Sequence, residues 1–346
     1  MPLRPGPALP HPGAHDDHIR HAFLTEIYEY FTGLWHVTDD QAGTRLSITW
    51  RGPPSPRRPA RRPLRSSEIL ARIEEAFAER GIARGRVLPI RWNRDTDLTI
   101  SAVQALDPYL KDGRPFTYSQ GLIPQPVVRF TGKRNDAGHL EPGFLTSFVN
   151  ISCVMPIQEV DEHVRLIDTW IGALSRLGLH ARHLHIHGTV DIWARGNVRG
   201  ITLHFAYADT AIGDAVLLWN TERPWHMASD IGSGLERLRW VQTGRSWPEA
   251  TFGDHAGDWP LELLDAVRTA TLLVDGGIRP GARDNSSALN RVLDQIPCQI
   301  ATAGLGRLVR NAYVYWGDVA RLRAPWPVTS QIIEEAVIDY VAHKRW

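Results

Sequence analysis

The stretch "SDIGSGLERLRW" (229–240) sets an acid, two glycines one residue apart and an acid–base pair side by side. Gly232 and Gly234 carry no Cβ, so backbone or a flat ligand can approach closely there, although most such glycine pairs are simply turns. Leu235, Leu238 and Trp240 mark an apolar face on the helix that follows, and Glu236–Arg237 is oddly charged for a helix that only fills a core. A second cluster, "RFTGKRND" (129–136), gathers Arg129, Lys133, Arg134 and Asp136 in a glycine-containing turn between two expected strands. No Ser or Thr follows Lys133 and no earlier glycine stands at Walker spacing, so this is not a P-loop. Its cations fit a triphosphate clamp, through bidentate guanidinium–phosphate pairing, or a solvated basic hairpin.

His183, His185 and His187 alternate with Leu184 and Ile186 and so share one face of an expected strand. Residues two apart on a strand sit roughly 6.5–7 Å apart. That splays three imidazoles too far for one zinc ion and favours a polar strand face. Trp193 in "DIWARGN" and Trp219 in "VLLWN" stand beside polar groups and suit packing as well as a pocket wall.

These residues need elements to position them. Residues 1–15 hold five prolines and read as a disordered tail. Ile19, Phe23, Ile27 and Phe31 recur at helical spacing. "WRGPPSPRRPARRPLR" (50–65) cannot be regular, and its arginines fit a solvated loop or RNA phosphates. "SSEILARIEEAFAERG" reads as a helix with a serine N-cap and Gly81 as its stop. Strands are expected at "RVLPIRW", "DLTISAV", "PVVRFTG" and "LTSFVNISCV", then a helix over about 161–177 closed by Gly178. Further strands follow at "HLHIHG", "GITLHFAYA" and "AVLLWN", and helices at "PLELLDAVRTATLLVDGG" and "SQIIEEAVIDYVAHKRW". Strands first and helices last predict an α+β fold: a unit over 16–250 with an insertion at 50–82, then a small helical unit over 251–346. No strand-borne glycine fingerprint of a dinucleotide fold appears.

Composition excludes little else. The chain has 346 residues, 43% hydrophobic and 22% charged, with a net charge of +1, so no global charge calls for nucleic acid or a membrane. Cys153 and Cys298 have no metal-type spacing, and neither a transmembrane run nor a signal-peptide core is present, so a cytoplasmic protein is expected.

Taken in order, the segments resemble the catalytic core of the class II alanyl-tRNA synthetase family over about residues 19–295. "IRHAFLTEIYEYF" is similar to the family's opening helix, and "TDLTISAVQALDPYL" with "TYSQGLIPQPVVRFTGKRND" to the run into its second motif. "FVNIS", "DIWARGN" and "LLWN" resemble its Gly-Asn-x-Ser, Asn-Phe-Trp and Ile-Trp-Asn segments. "DIGSGLERL" is similar to its third motif, and "VDGGIRPGARDNSSALNRVL" to the start of its helical domain. The resemblance implies a class II antiparallel sheet flanked by helices, with ATP lying across it and Mg2+ as cofactor. By the same resemblance Arg129 would hold the α-phosphate, with Lys133 and Asp136 in its hairpin. Arg237 would lie on the adenine near the γ-phosphate, and Gly232 and Gly234 would leave room for nucleotide and amino acid. Asp230 and Asn220 would grip the amino acid's ammonium, and Trp193 would bound a pocket sized for a methyl group. No Mg2+ ligand is assigned.

The implied chemistry is formation of an aminoacyl-adenylate from alanine or a similarly small amino acid, which needs no general base because the carboxylate is already ionised. Departures bear on the acceptor. "NVRGITLHF" replaces the family's Gly-Pro-Cys segment, Thr146 and Ser147 stand in place of Glu-Met, and only residues 286–346 follow "ARDN". The family's editing domain and C-terminal domain have no counterpart. A stand-alone activating enzyme is therefore expected, handing its aminoacyl group to a small-molecule amine, a nucleoside or a carrier-protein thiol. The alternatives are a minimal enzyme charging tRNA, with arginines 57, 58, 61, 62 and 65 on the RNA, and a catalytically silent paralogue with a binding or regulatory role.

Overall fold

A computed structural model of the chain describes residues 12–40, 44–52, 62–91, 98–130, 134–280, 286–301 and 304–344. Among them one antiparallel sheet is built from β1 (Trp35–Asp39), β2 (Arg45–Trp50), β3 (Gly121–Val128), β4 (Ser147–Ile157), β5 (Leu184–Thr189), β6 (Trp193–Arg195), β7 (Val198–Tyr207), β8 (Thr210–Asn220) and β9 (Met227–Gly234). The order across it is β1-β2-β5-β7-β8-β9-β4-β3, with β6 pairing beside β7. The helices are α1 (Pro12–Phe31), α2 (Ser66–Ala78), α3 (Asp107–Leu110), α4 (Val160–Arg176), α5 (Leu235–Thr243), α6 (Trp247–Phe252), α7 (Leu261–Asp275), α8 (Ser286–Leu293), α9 (Cys298–Ala301), α10 (Leu305–Gly317) and α11 (Trp326–Lys344). The mixed α+β class, a large antiparallel sheet flanked by helices, is thus the architecture observed. No helix among the described residues is long and apolar enough to cross a membrane.

Alternation along β8 sets the two faces of the sheet. Ala215, Leu217 and Trp219 are buried on the side covered by α1 and α4, where Trp219 Nε1 donates to Asp16 Oδ1 at 2.9 Å. The helical stripe Ile19, Phe23, Ile27 and Phe31 is fully buried against this layer, each side chain worth ~1.5–3 kcal/mol. Helix α1 begins at Pro12, so residues 12–15 of the expected tail are helical, and residues 1–11 lie outside the described residues. Helix α4 buries Val164, Ile167, Ile171 and Leu174 as its spacing predicts, and Trp170 meets Phe77 of α2 at 5.8 Å between ring centroids.

Gly178 closes α4 at φ +78°, its N–H donating to Ser175 O while Leu179 N reaches Leu174 O. A Cβ is unfavourable in that left-handed conformation, so Gly178→Ala is expected to cost about 1 kcal/mol in urea unfolding.

Two expected strands do not form among their described residues, 86–91 and 98–103. "RVLPIRW" and "DLTISAV" run beside β3 and share only an isolated bridge, Arg91 with Leu98. The cause is in β3, which is an edge strand. Leu122, Pro124, Pro126 and Val128 turn their backbone amide positions outward, and the two prolines have no N–H to offer. Only the ends bond, Leu122 N to Ala83 O and Val128 N to Thr99 O. Between them the Gln125 side chain accepts from Leu88 N and donates to Leu88 O. Residues 102–110 then fold as a 3-10 turn and α3 over the second sheet face, where Leu106, Ile123, Val154, Leu218 and Ala228 form a smaller core.

The boundary expected at 250 falls inside α6, and one continuous cluster of buried apolar residues runs from Ile19 to Val337. Helix α7 is buried from Leu263 to Asp275. Helix α2, within the expected insertion, packs into the fold: Ile69, Ile73 and Phe77 belong to the main core, and Gln242 Oε1 holds Leu64 N. Residues 53–61, including arginines 57, 58 and 61, lie outside the described residues.

Candidate active site

Beyond the smaller core, the second face of the sheet turns polar. Register places Asn150 opposite Gly234 and Ser152 opposite Gly232 across β4 and β9, and Val216 opposite Asp230 and Asp214 opposite Gly232 across β8 and β9. All of these except Ser152, which lies behind Asp230, floor a cavity of about 250 Å3 whose walls include Arg129, Phe144, Phe148 and Arg237. Arg129 arrives from the end of β3, and Arg237 from the first turn of α5.

Both guanidiniums are braced. Arg129 Nε donates to Ile100 O and its guanidinium lies 5.2 Å from the Phe148 ring centroid. Arg237 Nε donates to Gly143 O at 3.0 Å and Nη1 to Ala211 O at 3.2 Å, over the Phe144 ring at 5.2 Å. A guanidinium has five N–H donors, so each arginine keeps donors for a ligand.

Two carboxylates lie beneath them. Asp230 is buried and accepts from Ser152 Oγ. Burial, with the neighbouring Asp214 charge, pushes its pKa up to about 7, against the pull of Ser152 and Arg129. Asp214 stands deep in the concave face with its side chain open to the cleft. The surrounding protein raises its pKa as well, opposed by His204, Arg129 and Arg237. The native state therefore binds a proton at Asp230 that the unfolded chain releases near pH 4. Fold stability should fall as pH rises from about 4 to about 7, with a slope of up to about 1.4 kcal/mol per pH unit. Asp265, buried on α7 and raised to about 6, adds to the same slope. Urea unfolding at several pH values should show Asp230→Asn with a flatter profile than the native chain.

The glycines divide. A Cβ on Gly232 would meet Ile151 O at 2.3 Å, so this glycine lets β9 lie close against β4. A Cβ on Gly234 would find only the Arg237 side chain, at 3.8 Å, so Gly234 leaves open space over the floor. Gly213 also lacks room for a side chain, its Cβ falling 1.9 Å from Gly232 O.

Other expected site residues are placed elsewhere. Asn220 is buried with both ends of its amide engaged: Nδ2 donates to Leu110 O, and Oδ1 accepts from Glu222 N and Arg223 N. It shapes the β8–β9 turn and does not line the cavity. Trp193 lines an adjoining cavity of about 700 Å3, with Nε1 on Thr202 Oγ1, which shares Ser101 and Arg129 with the first. Asp136 is exposed on a turn outside both cavities. Lys133 lies outside the described residues. Arg62 is engaged with Glu68.

The expected histidine face is partly rebuilt. His183 ends a 3-10 turn and meets Tyr207 edge-on, while His185 and His187 stand on β5 with ring centroids 4.7 Å apart. The third imidazole is His204 of β7, 5.9 Å from His187 and directly opposite Asp214 on β8. Ser47 Oγ bonds His185 Nε2, so a polar row runs from β2 to the cleft. Among the described residues no group of three or more His, Cys, Asp or Glu is arranged to hold a metal ion.

Sequence reading missed Asp214, Asn150 and Ser152. The available signal was parity: Asp214 interrupts an apolar strand, and it shares a face with Asp230 once β8 and β9 are paired. No protein-family model matches the chain, and no curated protein matches it.

Proposed function

We propose that this cleft activates alanine, or an amino acid of similar size, as its adenylate at the expense of ATP, and passes the aminoacyl group to an acceptor other than whole tRNA. The single supporting observation is the convergence of Arg129 and Arg237, from two separate elements, above Asp230 and the open backbone of Gly234. The likeness of the motifs to a class II synthetase core supplies the expectation, and this geometry suits it.

In this reading Asp230 receives the substrate's ammonium. A bound cation favours the ionised carboxylate, so affinity for the amino acid should fall below about pH 7. A carboxylate oxygen of the amino acid forms a bond to the α-phosphorus of ATP. The bond from that phosphorus to the oxygen bridging to the β-phosphate breaks, and pyrophosphate leaves with the electron pair. Arg129 and Arg237 offset the charge that develops on the phosphoryl oxygens and hold the reactants in line. Asn150, held by Ser101 Oγ and Ala102 N, keeps the floor rigid.

A nucleotide-borne Mg2+ draws most of its ligands from phosphate and water and asks one or two carboxylates of the protein. Asp214 is the cleft acid open to solvent and fits that demand. Bound there, the ion would neutralise phosphate charge. The adjoining cavity meets the first at Arg129, which leaves space for nucleotide and acceptor together.

Amino-acid-dependent ATP–pyrophosphate exchange, run over all twenty amino acids with and without bulk tRNA, tests the proposal. Exchange with alanine or a similarly small amino acid in the absence of tRNA is expected. No exchange with any amino acid under either condition would overturn it.

A further inference from the structure

On the opposite face of the sheet lies a larger cavity, of about 1020 Å3, between the first turns of α1, the start of α4 and the turn joining β8 to β9. Its size is at the upper end of small-molecule sites. Nothing in the proposed reaction uses it, because the sheet separates it from Arg129 and Arg237.

The lining has two chemistries. Trp225, with the half-buried Ala22 and Pro224, gives it an apolar side, backed by the buried Trp219 and Met227. Trp225 is 63% exposed, an unusual position for so large an apolar ring. Its backbone is nonetheless fixed: Tyr109 Oη donates to Trp225 O, and the next residue, His226, stacks on Tyr109 at 4.3 Å. The exposed indole therefore projects from an anchored backbone.

The other chemistry is negative charge. Asp16, Glu26, Glu159, Asp161 and Glu222 line the cavity with His15 and His18, and among the described residues no lysine or arginine does. Asp16 is partly offset by Arg199 at 3.5 Å and by the Trp219 N–H, and Asp161 by Arg165. Asp161 Oδ1 is buried without a hydrogen-bond partner among the described residues. Among the described residues neither Glu26 nor Glu222 makes an ion pair, so the lining carries an excess of negative charge beside the Trp225 ring. A concave site of one sign concentrates ions of the other, and an indole face attracts an ammonium through its quadrupole.

We infer that this cavity binds an organic ammonium ion, a primary or quaternary amine carrying an apolar body that lies against Trp225. The aromatic wall takes the body, and the carboxylates take the charge.

Isothermal titration of the full chain, without ATP or amino acid, tests this independently of the adenylate chemistry. The probes are phenethylammonium and benzyltrimethylammonium, with phenethyl alcohol and 3-phenylpropionate as neutral and anionic controls. Saturable binding of the two cations is expected, at least about tenfold tighter than the alcohol and weakened by salt. Trp225→Ala, a change at an exposed ring, should weaken the cations about tenfold. Glu26→Gln/Glu222→Gln should weaken them while leaving the alcohol unchanged. Equal binding of alcohol and ammonium, indifference to both variants, or no saturable binding at millimolar probe would each overturn the inference. Because no substrate of the proposed reaction is present, failure here and failure of the exchange assay are separate results.

Discussion

Replacing Arg237 with alanine is expected to lower alanine-dependent pyrophosphate exchange by about 10²–10³-fold while leaving the fold intact. The magnitude follows from removing a preorganised cation aimed at charge that develops during reaction. The small structural cost follows from its contacts. Arg237 is half-buried, bonds two backbone carbonyls and covers the Phe144 ring; net losses of this kind run to about 1 kcal/mol per bond. The lysine variant separates charge from shape. Arg237→Lys keeps a cation but loses the planar fork, so it should recover only part of the rate. Full activity in a folded Arg237→Ala chain, judged by its urea midpoint, would move the reaction away from this cavity.

The same helix explains what was legible in the sequence. Glu236 and Arg237 looked misplaced on a core helix because neighbouring positions on a helix point about 100° apart. Arg237 reaches over the cleft to Gly143 and Ala211, while Glu236 accepts from Val149 N of β4 and meets Arg268 of α7. Periodicity disclosed the buried stripes of α1 and α4, where one face alone decides the pattern. It could not disclose that β3 is an edge, since Pro124 and Pro126 read as strand interruptions until their amide direction is known. Asn220 looked like a free ligand-gripping amide, yet the β8–β9 turn takes its oxygen, a common fate of Asn at a turn, and the end of α3 takes its nitrogen. Asp214 was hidden for a related reason: its neighbours in space, Asp230 and His204, come from different strands, and only sheet register joins them. Gly232 and Gly234 looked like one feature and serve two purposes, strand approach and open floor.

Removing the cation beneath that floor is expected to have the largest effect on stability. Arg268 and Glu236 are buried at 3% and 4% side-chain exposure. The carboxylate also accepts from Tyr315 Oη at 2.6 Å and from Val149 N, and the guanidinium is flanked by Tyr315 and Trp316 rings at 3.9 and 4.8 Å. Arg268→Met keeps length and apolar contact but strands the Glu236 charge, at a cost of about 3–5 kcal/mol in urea unfolding. Arg268→Met/Glu236→Gln removes the stranded charge and should regain about 1–3 kcal/mol of that loss, a coupling the double-mutant cycle measures directly. If the double variant is no more stable than Arg268→Met, lost contact with the rings rather than an unpaired charge sets the cost. The effect should reach the cleft, because Val149, the residue Glu236 holds, lies between Phe148 and Asn150 on its floor. A chain with Arg268→Met, assayed at a temperature where it remains folded, should show a raised KM for the amino acid, and Arg268→Met/Glu236→Gln should return it toward the native value.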